Sequence, residues 1–239
     1  MLVKTRGLVL GYLKYRESSI IARIYTERLG LQSYVVNSVR KAKPPGRIAL
    51  FQPFTLLDLV AYVPRGSSTL SRLSEYRCSE PYQSLPYDVQ KSSVVLFLSE
   101  VLSRAVREEE QNEPLFTFLH DAMLAFDRQD TGSENFALRF LLDLTVYLGF
   151  GVSSGGELTD QVIMAGHAPT APGVVGPATL RLREFEGYFD ELLHDRPVTI
   201  PNGRVRHELL KVLIRYYQLH VEQMGDIRSL DILSEVLAG

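Results

Sequence analysis

Three observations predict an α+β chain with its strands first, a small five-stranded barrel followed by an all-helical domain. Apolar residues recur in short β-branched and aromatic runs up to about residue 80, their period turns helical from Pro86 onward, and the charge changes sign at the same place. Residues 1–80 hold 13 Lys and Arg against 5 Asp and Glu, a balance of +8. Residues 81–239 hold 13 against 23, a balance of -10, so the formal net charge of -2 conceals the split. The asymmetry predicts two domains, 1–80 and 81–239, with a polyanion as partner of the first.

The expected strands are Val3 to Tyr15, Ser19 to Thr26, Leu31 to Val39, Leu50 to Ala61 and Thr69 to Cys78. Turn chemistry separates them: Arg28, Leu29 and Gly30 form a tight turn, Pro44, Pro45 and Gly46 break a loop, and Pro64, Arg65 and Gly66 mark a hairpin. Five short strands in about 80 residues suit a closed barrel, because closure removes the exposed edges.

Val94, Val95, Leu98, Val101, Leu102 and Ala105 then share one face of a helix. A second helix is expected over Glu113 to Arg128, with Pro114 in its first turn. A third opens at Ser133, turns Phe136, Phe140, Leu144, Tyr147 and Leu148 inward, and ends at Gly149. Residues 151–179 are rich in Gly and Pro without period and predict an irregular, cysteine-free insertion. Helices are expected again over Leu180 to His194, Arg204 to Gln223 and Leu230 to Leu237.

The single cysteine, Cys78, excludes an internal disulfide framework and any zinc site of several thiolates, and it suits a reducing cytoplasm. Lys4 and Arg6 interrupt the first apolar stretch, so no signal peptide is expected, and runs such as residues 94–98 are far too short to span a bilayer. Catalytic patterns fail in turn. His207 and Glu208 are followed by Lys211 where a zinc-protease helix needs its second histidine, no glycine run leads into Gly-Lys-Ser/Thr, and the five histidines are scattered. A non-enzymatic protein with no metal and no cofactor is expected.

Binding chemistry concentrates in the first 80 residues. Arg40, Lys41, Lys43 and Arg47 surround a Pro/Gly loop, with Lys14 and Arg16 in support, and aromatics including Tyr12, Tyr15, Tyr25, Tyr34, Phe51, Phe54, Tyr62 and Tyr76 are interleaved among the cations. Cations neutralise phosphates and aromatic faces stack on unpaired bases, so the combination predicts nucleic-acid binding, while packing accounts for most of the aromatics. The competing reading is an adaptor whose basic half docks an acidic protein surface.

The order of motifs resembles the RecO family of recombination mediators. The resemblance rests on GLVLGYLKYRESSIIARIYTERLG, on VRKAKPPGRIALFQPFTLLDL, on ALRFLLDLTVYLGFGV and on YYQLHVEQMGDIRSLDILSEVL, which together cover most of the chain. It implies that the barrel is an OB-fold, and that the protein binds single- and double-stranded DNA, anneals strands, and with RecR helps load RecA onto DNA coated by the single-strand binding protein SSB, RecF being a further partner. A cytoplasmic, nucleoid-associated protein without membrane contact is implied. The family's helical domain receives the SSB tail, for which Arg139 is the candidate cation. Many members carry a four-cysteine zinc module after the third helix, and residues 151–179 depart from that pattern.

Overall fold

The computed structural model describes residues 1–39, 47–64, 71–107, 110–166 and 177–238. Five strands, β1 (Leu2–Tyr15), β2 (Ser19–Thr26), β3 (Gly30–Val36), β4 (Leu56–Tyr62) and β5 (Ser71–Cys78), close into a barrel. The order around it is β1-β2-β3-β5-β4, antiparallel throughout except for the β3–β5 seam, where Tyr34 and Val35 pair in parallel with Ser71 and Arg72. A five-stranded barrel of this order is an OB-fold.

Alternation fills its interior with Val9, Ile20, Ala22, Ile24, Tyr34, Val36, Leu57, Leu59 and Ala61. Gly7 stands where two strands crowd, and a Cβ there would lie 2.7 Å from Ile24 Cγ2 and 2.9 Å from Leu59 Cδ2. Gly7→Ala is expected to cost about 1–3 kcal/mol through overpacking, read as a lower denaturant midpoint at unchanged slope. An unaltered midpoint would show that the two side chains give way freely.

Two strand expectations need correction. Residues 50–55 are not strand: Arg47–Phe51 form a 3-10 turn, and β4 begins only at Leu56. Phe51 and Phe54 are both fully buried, which alternation cannot achieve three residues apart. A turn does so, with Phe54 in left-handed backbone (φ 63) and the Thr55 hydroxyl donating to the Gln52 carbonyl. Similarly β3 stops at Val36, because Ser38 takes a left-handed conformation (φ 59), although Val39 still reaches the barrel core.

The outward-facing residues Leu8, Leu10, Tyr25 and Leu31 are buried as well. Two helices account for that: α1 (Val89–Ala105) and α2 (Glu113–Arg128) lie against the barrel. Ser99 donates to the Leu10 carbonyl at 2.5 Å, Arg23 donates to the Ser103 carbonyl at 2.7 Å, and the Arg6 guanidinium sits 5.2 Å above the Phe116 ring. Strand gives way to helix between Cys78 and Val89, whereas the compact units are Met1–Gln129 and Asp130–Gly239. By packing, therefore, α1 and α2 belong with the barrel rather than with the helices that follow.

The second unit comprises α3 (Phe136–Tyr147), α4 (Gly155–Gly166), α5 (Pro177–Arg183), α6 (Glu186–Leu193), α7 (Gly203–His220) and α8 (Ser229–Ala238). Leu141, Leu144, Leu158, Phe189, Leu209, Leu213 and Tyr217 are among its buried residues. Here α3 turns Phe140 and Leu144 inward as expected but leaves Tyr147 39% exposed. The segment 151–179 is not an irregular insertion where it is described, since it holds α4 and the start of α5. Ser154 caps α4 by accepting from the Glu157 N–H, and Leu158 and Val162 are its buried stripe. Gly155 is there for close approach: a Cβ would lie 2.2 Å from the Glu186 carbonyl oxygen. The helix expected over Leu180 to His194 is two helices, α5 and α6, interrupted at Glu184 and Phe185. Among the described residues no helix is long and apolar enough to cross a membrane.

Candidate nucleic-acid interface

Because β-strand side chains alternate, one ladder of residues crosses the whole outer face of the barrel. Leu13 pairs with Ile21, Ile21 with Val35, Val35 with Arg72, Arg72 with Tyr62 and Tyr62 with Leu2. This ladder belongs to the part of the outer face that α1 and α2 leave open. Leu13 is 73% exposed and Tyr62 49%, whereas Leu8 and Tyr25 under the helices are buried. Tyr34, Phe51 and Phe54 are buried, and Tyr12 and Tyr76 pack against the core. Most of the interleaved aromatics therefore serve packing, and Tyr62 is the exposed one among them.

The cations sort by what neutralises them. Arg6 makes a two-pronged pair with Glu27, at 2.7 and 3.1 Å, which raises its own pKa and lowers that of Glu27. Arg77 is bound to Asp58 at 2.8 Å. Lys14, Arg47 and Arg72 are exposed and form no ion pair among the described residues. Lys14 is the penultimate residue of β1, Arg16 follows the strand in left-handed backbone (φ 50), and the Arg16 guanidinium lies 5.1 Å from the Tyr15 ring centroid. Arg47 opens the 3-10 turn. Arg40, Lys41 and Lys43 lie outside the described residues.

Sequence reasoning counted Arg72 in the basic excess without singling it out as a candidate, and left Arg107 aside. The hairpin pattern placed Arg72 on a strand, but only the β3–β5 seam brings it beside Val35. Arg107 follows the end of α1, and its relation to the barrel depends on a contact spanning 80 residues, Arg23 to Ser103.

Arg139, the cation expected to receive an acidic tail, donates to the Asp195 carboxylate and, at 2.9 Å, to the Arg196 carbonyl. Burial raises the pKa of nearby Asp143 while Arg139 works against the rise. Among the described residues no three of His, Cys, Asp and Glu converge as metal ligands. A thiolate zinc site does not fit this chain, whose one cysteine, Cys78, is a half-buried thiol pushed up in pKa by burial.

Comparison with known proteins finds two family models side by side along the chain. Residues 1–82 match the family model described as "Recombination protein O N terminal", and residues 86–154 match "Recombination protein O C terminal". The chain is 35% identical over 250 residues to the DNA repair protein RecO of Flavobacterium psychrophilum and 36% identical over 247 residues to that of Flavobacterium johnsoniae, with all of each chain covered. It is 34% identical to the RecO of Bacteroides fragilis, with 99% of both chains covered.

Proposed function

The chain belongs to the RecO family of DNA repair proteins, and from that premise we propose that it is a non-catalytic mediator of recombination that grips DNA with its barrel. One observation carries the reading: Lys14, Arg47 and Arg72, the last of them on the uncovered ladder, are exposed cations with no carboxylate partner among the described residues, unlike Arg6 and Arg77. Unpaired cations release counterions when a phosphate replaces their solvent shell, which gives affinity without sequence preference. Arg40, Lys41, Lys43 and Arg16 extend the same charge along the chain.

The barrel would hold single- and double-stranded DNA and bring complementary strands together. The second unit, with 9 Lys and Arg against 15 Asp and Glu in residues 130–239, is electrostatically suited to protein partners rather than to the phosphate backbone. RecR and the SSB tail are the partners this reading assigns, with RecA loading as the outcome and RecF upstream, all at the nucleoid in the cytoplasm. A tail carboxylate reaching Arg139 would have to exchange with Asp195.

Fluorescence anisotropy with an unstructured oligonucleotide tests the DNA claim. Saturable binding at about 100 mM salt that weakens steadily with added salt is the expected result. A flat titration would favour the adaptor reading, in which the basic half meets an acidic protein instead.

A further inference from the structure

β5 outruns the seam that closes the barrel. Among the described residues it pairs with β3 only at Ser71 and Arg72, and β3 ends at Val36, so from Ser74 to Cys78 the strand is held by β4 alone. No described residue pairs with its other edge over that stretch, roughly 17 Å of backbone. Behind the strand the Phe51 ring packs edge-on against Tyr76 at 5.0 Å, so the inner side is already occupied. A free strand edge of this kind is a template for a further strand.

The side chains beside the edge select which strand fits. Glu75 pairs with Val60 and Arg77 with Asp58 across β4, which sets both on the outer face, one on either side of the core-facing Tyr76. Ser74 is the extra residue of a bulge, and alternation resumes after it. Glu75 is exposed and forms no ion pair among the described residues. Arg77 gives Nε and Nη2 to Asp58 at 3.1 and 2.8 Å, yet its side chain stays 78% exposed and Nη1 is left to donate. Charge is therefore opposite at equal steps from Tyr76. A second β5 laid antiparallel, with its two-fold axis at Tyr76, sets Glu75 of each copy against Arg77 of the other. Charges that merely guard an edge repel a copy of themselves, whereas this arrangement attracts one.

We infer that two copies of this chain associate by adding β5 to β5, antiparallel about Tyr76, in an isologous contact closed by two Glu75–Arg77 pairs. Each pair occurs twice because the axis maps one copy onto the other. The contact is small, which makes the dimer a weak one that dissociates in the range of about 1–100 µM. It needs no DNA and stands apart from the barrel's proposed grip on phosphates.

Sedimentation velocity of the full chain from about 1 to 200 µM tests the contact. The unmodified protein is expected to pass from monomer to dimer across that range. Glu75→Arg opposes two arginines twice and should weaken association by about tenfold or more, and Arg77→Glu should do the same with glutamates. Mixed in equal amounts, the two variants regain both attractive pairs, arginines on one copy facing glutamates on the other, and should associate as the unmodified protein does. Glu75→Arg by itself keeps the test decisive where Arg77→Glu, beside Asp58, does not fold. A monomer throughout the range, unweakened association in Glu75→Arg, or no recovery on mixing the folded variants overturns the β5 contact.

Discussion

Asp127→Ala is expected to remove about 3–5 kcal/mol of stability, a third or more of what a typical domain possesses. The Asp127 carboxylate, at the end of α2, accepts from three consecutive backbone N–H groups: Gln83 at 2.8 Å, Ser84 at 2.8 Å and Leu85 at 2.9 Å. These belong to the segment that carries the chain from β5 to α1. Lys91 closes the arrangement from below, donating to Ser84 Oγ at 2.7 Å and to the Asp127 carbonyl at 3.1 Å, and it is only 5% exposed. Alanine would leave three backbone donors without their acceptor. Asp127→Asn keeps one acceptor oxygen and should recover part of the loss. Denaturant unfolding measures both; a loss below about 1 kcal/mol for alanine would mean that water replaces the carboxylate without cost.

The same carboxylate gives the effect a pH signature. Burial opposes its ionisation, but the hydrogen bonds from Gln83, Leu85 and Ser84 outweigh burial and hold its pKa below the ordinary 3.8. A depressed folded-state pKa stabilises the fold above the unfolded value, and that stability disappears as pH falls through the folded value. The gap in stability between the unmodified protein and Asp127→Ala should therefore be full at neutral pH and shrink below about pH 4.

Replacing Arg40, Lys41, Lys43 and Arg47 together by alanine is the second large effect. Four exposed charge pairs at about 0.5–1 kcal/mol each amount to about 2–4 kcal/mol, a thirtyfold to several-hundredfold loss of affinity for oligothymidine. Phosphate contacts carry no sequence information, so oligomers of other sequence should lose affinity by the same factor. Arg47 is exposed at the first position of its 3-10 turn, and the apolar residue that anchors that turn is Phe51. Melting temperature should accordingly change little, separating lost binding from lost fold.

Much of the barrel was legible because its strands alternate cleanly and its turns carry left-handed glycine or proline. β2 and α2 fall where the pattern places them, Ser19–Thr26 and Glu113–Arg128. Tertiary packing hid the rest. Phe51 and Phe54 read as strand residues, yet both are buried by a turn whose left-handed residue, Phe54, carries no sequence mark. Glycine hid α4, because Gly155 and Gly156 look like loop in sequence, while Gly155 is needed where the helix start meets the Glu186 backbone. The charge split located a basic half but not the border of a compact unit, since α1 and α2 cover Leu8, Leu10 and Tyr25 despite lying beyond the change of period.

Within the candidate interface, Lys14, Arg16 and Arg47 were legible as cations near turns, whereas the ladder from Leu13 to Leu2 was not. Its members come from four strands beyond the one that starts it, and the parallel seam joining Val35 to Arg72 follows from barrel closure rather than from any local pattern. Arg6 and Arg77 show the converse. They count toward the basic excess in sequence, but Glu27 and Asp58 neutralise them across neighbouring strands.

The central claim, that the barrel's cations hold the phosphate backbone, is tested most directly by the salt dependence of binding. Affinity for oligothymidine should be measured between about 50 and 200 mM salt for the unmodified protein and for the variant lacking Arg40, Lys41, Lys43 and Arg47. A linear fall of log affinity with log salt is expected for both, with the variant's slope shallower by about 2.8, the sum of four single-strand phosphate contacts at about 0.7 each. Equal slopes in the two proteins would place the DNA elsewhere and contradict the account.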